Sequence, residues 1–290
     1  MLISFAGGRV EEFIENARTW GVVDLRDPAR GAAAMRAMAM LHAAPLPAER
    51  FPAGTPALPK NLRMWAATAE KAAKQLIAGG GRKGLLAAAI DIPSLVSVEV
   101  EWMLQFLQQL DSPIVFCHND LQEGNLMEVA GGLGGAGEGG AGSVGKVAGP
   151  LGEVKVVDYE YGGYNYRGFD WGNFFCEIAC DNFVEQYPGF CLNPDKYPSD
   201  EQQKVLLQAY LRGREPAAGE MDAMIVEANS FAMASHLFWT LWAVAQAADT
   251  TIKWGYLEYA QQRALQYFVF KERAVKATGT DPACLVETFT

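Results

Sequence analysis

His118-Asn119-Asp120, then Asn125, then Asp158-Tyr159-Glu160 are the residues of this chain whose types and spacing could do chemistry. A carboxylate can orient a hydroxyl and accept its proton, and an amide oxygen with a second carboxylate suits magnesium. Together these are what phosphoryl transfer from a nucleotide requires. The H-N-D-x-x-x-x-N spacing is complete and is followed by D-x-E, which separates it from two capped turns that merely contain Asp. Asp120 is then the candidate base, Asn125 and Asp158 the candidate magnesium ligands, and Glu160 a further group near the metal or its waters. With Asp120 in that role, His118 is expected to fix the loop by hydrogen bonds rather than act as a second base.

These groups must be held by ordered elements. Ile114-Val115-Phe116-Cys117 and Val154-Lys155-Val156-Val157 are β-branched runs that read as buried strands. As neighbours, they would present Asp120, Asn125 and Asp158 at one end of a small sheet. Residues 1–14 read as a strand, a Gly7-Gly8 turn and a second strand from Val10 to Ile14. Helical spacing runs over Ala29–Ala43, Leu62–Ile77, Ser97–Leu110, Gly172–Asn182, Glu201–Arg214, Met221–Ala248 and Gly255–Lys276. The expected class is α+β, mainly helical, with small β hairpins that carry the motifs.

Residues 130–152 are rich in Gly and Ala and read as a flexible insert in a hairpin. Within it, Gly132-x-Gly134-x-x-Gly137 and Gly140-x-x-x-x-Gly145-Lys146 imitate phosphate-binding loops. Such loops need a helix N-terminus after them, and Val147 stands where Ser or Thr should hold magnesium. The matches are what so glycine-rich a tract produces by chance.

His118 to Asn125 reads HNDLQEGN, and Asp158 to Glu177 reads DYEYGGYNYRGFDWGNFFCE. With Ala234–Trp242, these stretches resemble choline/ethanolamine kinases, a branch of the aminoglycoside-phosphotransferase group with the protein-kinase-like fold. The resemblance runs from about residue 1 to about residue 272. It implies phosphorylation of choline by ATP with Mg2+, or of ethanolamine. It also implies a substrate box of Tyr161, Glu177, Trp239, Trp242 and Tyr259, with Gln122 supporting the loop or the substrate. Spacing alone says only that Trp239 and Trp242 share a helix face, as core residues also do. By the same resemblance Asp170 braces the catalytic loop, and Arg167 pairs with a carboxylate or packs. Glu12, Phe13 and Ile14 look like the hinge that meets adenine. Residues 1–14 then read as a remnant of the N-lobe, whose Gly-rich hairpin and strand lysine precede this stretch in the fold, and 15–290 as the C-terminal lobe. One departure is Asn182, where choline kinases tend to carry tyrosine.

A quaternary ammonium cannot donate hydrogen bonds and is recognised by aromatic faces with a carboxylate. Clustered tryptophans facing Glu177 argue against a polyhydroxyl aminoglycoside, whose cations call for a broad acidic cleft. The net charge of −10 argues against nucleic acid or an anionic membrane as partner. Five cysteines without a CxxC pair suggest a reducing compartment. Cys176 and Cys180 could share a helix face, but no third ligand lies near for zinc. Phe231–Ala248 is apolar yet carries Ser235, His236, Thr240 and Gln246, so a buried helix is expected rather than a membrane span. The location expected is cytoplasmic, with a homodimer or a full-length homologue as protein partner. A competing reading is a catalytically weak binding or regulatory subunit.

Overall fold

Apolar residues at helical spacing fill most of this chain, and among the described residues the helices they form make the frame that holds four small sheets. The computed structural model describes residues 3–5, 8–10, 12–46, 49, 54–130, 147–149 and 152–280. In chain order, strands β1 (Ile3–Phe5), β2 (Gly8–Val10) and β3 (Ala17–Thr19) precede helices α1 (Val22–Leu25), α2 (Pro28–His42) and α3 (Ala57–Gly79). Then come α4 (Gly81–Ala88), α5 (Ile92–Ser94), a π-helical turn at Leu95–Glu99, and α6 (Val100–Gln108). Strands β4 (Ile114–Cys117), β5 (Leu126–Val129), β6 (Val147–Gly149), β7 (Gly152–Val156) and β8 (Gly163–Tyr166) bear the motifs. Helix α7 (Arg167–Ile178), the short strands β9 (Cys180–Asp181) and β10 (Cys191–Leu192), and helices α8 (Asp200–Tyr210), α9 (Glu220–Asp249) and α10 (Tyr256–Thr278) complete the order.

Local chemistry sets several of these boundaries. Asp27 caps α2 by accepting from Arg30 N at 2.9 Å, with Pro28 at the first helical position, where a missing N–H costs nothing. Ser199 and Gln202 form a reciprocal capping box at the start of α8.

Helix α9 is apolar on nearly every side and is buried accordingly, packed mainly against α10, α7 and α3. No helix among the described residues is long and apolar enough to cross a membrane. Helix α7 lies between two cores. Phe169 and Cys176 join the one built on α3, α6, α9 and α10, while Trp171, Phe174 and Phe175 join the one built on α2, α8 and the site strands. The approach of α7 to α9 depends on Gly172, where a Cβ would meet Ala232 N at 2.3 Å and Phe231 C at 2.5 Å.

The two motif strands are not neighbours, contrary to the expectation from their sequence. Strand β4 pairs antiparallel with β8, whereas β7 sits in a four-stranded antiparallel sheet of order β3-β5-β7-β6. The Gly163–Tyr166 strand lacks a β-branched run and gave no signal, so the partner of β4 was misassigned. Near the start, the second strand is Gly8–Val10 rather than Val10–Ile14, and Glu12–Ile14 has no regular structure. Helix α4 has no counterpart among the sequence expectations, because its first four residues, Gly81-Arg82-Lys83-Gly84, are Gly or basic. Helix α7 starts at Arg167 and ends at Ile178, so Cys180 lies in β9 and does not share a helix with Cys176. Strands β5 and β7 pair antiparallel on either side of the Gly/Ala-rich tract, whose residues 147–149 form β6 on the other edge of β7 rather than a plain hairpin loop, and whose residues 131–146, 150 and 151 lie outside the described residues.

Candidate active site

The turn after β4 is held from beneath by one buried carboxylate. Asp170, in the first turn of α7, accepts from His118 N at 2.8 Å, from Asn119 N at 2.7 Å and from His42 Nε2 at 3.0 Å. His42 in turn meets the Tyr210 hydroxyl at 2.9 Å through Nδ1. Burial alone would raise the Asp170 carboxyl, but the hydrogen bond and charge of His42, the charge of His118 and the His118 N–H hold it below its ordinary value. His42, Cys117 and Asp170 bring their ligand atoms within 4.8 Å of one another. The Asp170 oxygens are already occupied by these donors, which makes the cluster a brace rather than a metal cage.

Asn119 adopts a left-handed backbone at φ 66°, which Asn tolerates better than most residues. Its Nδ2 donates to Tyr161 O at 2.8 Å and its Oδ1 accepts from Asn165 Nδ2 at 2.7 Å. His118 Nε2 donates to Val157 O at 2.9 Å, while its Nδ1 accepts from Asp120 N at 3.3 Å. Val157 N donates to Asn125 O at 3.0 Å. Both peptide groups of Val157 are thus taken by the turn that carries Asp120, and Asp158 follows directly, at φ 63°. This clamp, rather than a shared sheet, brings Asp120, Asn125 and Asp158 to one place.

Asn125 Nδ2 donates to Asp120 O at 2.8 Å and to Asp120 Oδ2 at 3.2 Å. Its Oδ1 is therefore the atom available to a cation, and with Asp158 and the exposed Glu160 it makes a hard oxygen set that fits magnesium. The Asp120 carboxyl is pushed well above its ordinary value by burial and by the charges of Glu177, Glu160 and Asp158, against the opposing Asn125 hydrogen bond. So much negative charge at one point is the environment that favours bound cations. Gln122 turns its Oε1 to its own loop, accepting from Gly124 N at 2.6 Å.

Beside this turn the rings gather. Tyr161 meets Trp239 edge-on at 5.6 Å between centroids, and Trp239 meets Trp242 at 5.3 Å. Trp239 is locked by its Nε1 donating to Asn173 Oδ1 at 2.7 Å, an oxygen that Ser235 Oγ shares at 2.8 Å. Tyr161 and Trp242 are half-buried. Tyr259 is reached through Tyr256 and Trp254, and its hydroxyl oxygen accepts from Arg263 Nε at 2.9 Å. Arg263, fully buried, donates from Nη2 to Glu177 Oε1 at 2.7 Å and meets His236 Nδ1 at 3.3 Å. Burial and Arg263 push His236 well below its ordinary value, so it stays neutral. The other Glu177 oxygen accepts from Asn182 Nδ2 at 2.8 Å.

Of the residues singled out from sequence, Asp120, Asn125, Asp158, His118, Asp170 and Tyr161 are linked by these contacts, and Glu177 acts on Asp120 through its charge. Glu12 and Phe13 are exposed, Phe13 by 85%, on the segment leading into β3, with Ile14 half-buried. Arg167 does both things considered for it: it pairs with Glu227 at 2.7 Å and lies over the Trp171 ring at 4.2 Å. Sequence reasoning missed Arg263, Asn173 and Glu123. The usable signal for Arg263 was a charge one turn after Tyr259 on the face that α10 buries.

Residues 1–268 match the family model described as choline/ethanolamine kinase. The chain belongs to the choline/ethanolamine kinase family. Mouse choline kinase alpha is 34% identical over 280 residues, covering 93% of this chain and 56% of that protein. Rat ethanolamine kinase 2 is 38% identical over 186 residues, 62% of this chain and 41% of that protein. The chain therefore spans roughly half the length of these relatives. The crystal structure of a choline kinase from Cryptosporidium parvum superposes with a TM-score of 0.70 at 25% identity, covering 97% of this chain and 75% of that one. The fold is thus the protein-kinase-like fold of the family, mainly helical with small antiparallel sheets.

Proposed function

We propose that this chain transfers the γ-phosphoryl group of ATP to the hydroxyl of choline, giving phosphocholine and ADP, in the cytoplasm. The observation that carries the reading is the clamp of the catalytic turn on Val157, which sets Asp120, Asn125 and Asp158 against the Tyr161–Trp239–Trp242 rings. Asp120 orients the choline hydroxyl and takes its proton as the new P–O bond forms. Asn125 Oδ1 and Asp158, with Glu160 behind them, hold magnesium, which when bound neutralises charge on the ATP phosphates. The trimethylammonium group lies against the exposed parts of Tyr161 and Trp242, a contact of about 0.5–2 kcal/mol. Glu177 supplies the opposite charge. Asp170 and His118 hold the turn, and the largely exposed segment Glu12–Ile14 is the proposed contact for adenine.

Ethanolamine is the second reading, and Asn182 favours it. At 182 an amide stands beside Glu177 instead of a further ring, and a primary ammonium needs polar neighbours. The test is turnover of choline and of ethanolamine by the purified chain with ATP and magnesium, alongside Asp120→Asn. Phosphocholine formed by the wild type and lost by about 10²-fold or more in the variant is the expected result. A several-fold higher kcat/KM for ethanolamine replaces choline as substrate. Turnover of neither amine overturns the proposal.

A further inference from the structure

Glu123 belongs to the catalytic turn, in the 3-10 segment that ends at Asn125, and its side chain is completely buried. Among the described residues its side chain hydrogen-bonds to one other residue, Asn182. Glu123 Oε1 accepts from the Asn182 backbone N–H at 3.0 Å, and Glu123 Oε2 from Asn182 Nδ2 at 3.3 Å. That same Nδ2 donates to Glu177 Oε2 at 2.8 Å. One amide therefore bridges a carboxylate of the catalytic turn and the carboxylate of the amine pocket. The far oxygen of Glu177 is fixed by Arg263, so the chain of contacts runs Glu123–Asn182–Glu177–Arg263–Tyr259 without a gap.

A second observation shows that the 180–183 segment is seated on the turn. A Cβ at Gly124 would lie 3.0 Å from Phe183 Cζ, so the glycine between Glu123 and Asn125 admits the ring of the residue after Asn182. The segment is pinned on its far side by the β9–β10 pair and by Asn193 N donating to Ala179 O at 2.8 Å. Asn182 is thus held by its backbone, and its side chain has both carboxylates within reach.

We infer that Asn182, anchored on Glu123, is a positioning residue that sets Glu177 relative to Asp120 and so couples recognition of a small alkylammonium alcohol to the catalytic turn. The inference rests on the amine-kinase reading of the site. It assigns to Glu123 an effect its place in the sequence does not suggest. A residue two before Asn125 that served only the loop would act on kcat and on ATP. A residue that holds Asn182 acts on the amine. In Glu123→Gln the new amide N–H opposes Asn182 Nδ2, so Asn182 must turn its donor away and release Glu177.

The test is steady-state kinetics of the full chain with choline, ethanolamine and ATP varied separately, for Glu123→Gln, Asn182→Ala and the double variant. Calorimetric titration with choline gives binding without turnover. Losing one charge-assisted hydrogen bond to Glu177 should raise KM for the amine by roughly tenfold in each single variant. KM for ATP should stay within about twofold, and the double variant should be no worse than the poorer single one. Asn182→Ser, smaller but polar, stands in if the alanine variant does not fold, and the same amine-only rise is expected of it. Additive losses, or a fall in kcat with a rise in KM for ATP at unchanged amine KM, overturn the inference. If the wild type turns over and binds neither amine, the proposed function is wrong and this inference falls with it.

Discussion

Asp170→Asn is the substitution that most directly probes how the catalytic turn is held. Two carboxylate oxygens serve three donors there: His118 N, Asn119 N and His42 Nε2. An amide keeps one acceptor oxygen and puts an NH2 group where the other stood. If the oxygen stays with Asn119 N, the His118 N–H and His42 Nε2, which share the other oxygen, both face the NH2 group in a site with no exposed surface, and only His42 can answer it by changing tautomer. An orphaned buried donor costs about 1–3 kcal/mol, and exchanging charged for neutral bonds at the others costs about 1 kcal/mol more. Removing a buried charge returns part of this, which leaves about 1–3 kcal/mol of destabilisation. Urea unfolding at pH 7 should show it as a lowered midpoint at unchanged m. Asp120 follows directly on the two N–H groups that Asp170 holds, one of them released in the variant, so kcat should fall on the order of 10²-fold in the folded variant. The pH dependence has a definite sign. The Asp170 carboxyl is held below its ordinary value in the folded chain, so its contribution is present above the unfolded pKa of about 3.9 and is lost as pH falls through the lower folded value. The stability gap between wild type and variant should therefore persist to about pH 4 and narrow only below it. A variant with wild-type midpoint and kcat, or a gap that closes between pH 7 and pH 5, would refute the argument.

Other substitutions separate the parts of the site. Trp242→Leu keeps apolar bulk but removes a ring, and should raise KM for choline by about 2- to 30-fold while leaving KM for ATP unchanged. Arg263→Met leaves Glu177 as a buried charge without its cation, and should lower the unfolding free energy by about 3–5 kcal/mol in denaturant titration. Gly172→Ala forces α7 away from α9 at a backbone-to-backbone contact, and should cost about 1–3 kcal/mol or more in the same titration, with expression mostly insoluble at the upper end.

What was legible in the sequence was the chemistry, because carboxylates and amides at fixed short spacing leave few alternatives. Asp120 and Asn125 are five residues apart and lie on one turn, so local spacing was enough to join them. The long helices were legible as well, since α2 and α10 repeat apolar residues at helical spacing and α9 is a long apolar run broken by a few polar residues. The pairing of the motif strands was not. Both are short, and nothing in Gly163–Tyr166 advertises a strand that takes β4 away from β7. Arg263 and Asn173 were invisible for another reason. A buried polar group is chosen by partners distant in sequence, here Glu177 across 86 residues and Trp239 across 66, and composition carries no trace of such pairs. Asn182 shows the limit of reading a departure by itself. As a lost aromatic wall it suggested a weaker box, whereas in the fold its amide is committed to two carboxylates.

The two left-handed residues of the site explain why its chemistry and its conformation are hard to separate. Asn119 and Asp158 each turn the chain at one of the two loops that meet, and a left-handed backbone costs most L-residues about 1–2 kcal/mol. Asn and Asp tolerate it because their short polar side chains bond locally. At 119 the turn lets consecutive N–H groups face the single carboxylate of Asp170. At 158 it follows a residue whose N–H and C=O are both held by the catalytic turn, which leaves that left-handed turn to set the direction of the candidate ligand. Alanine at either position removes the functional atoms and the backbone tolerance together, so its effect cannot be read as chemistry. Asparagine at 158 keeps the tolerance and removes only the charge. The difference between Asp158→Asn and the wild type is then what the charge contributes, and the further loss in Asp158→Ala is what the backbone turn and the remaining side-chain oxygen contribute together.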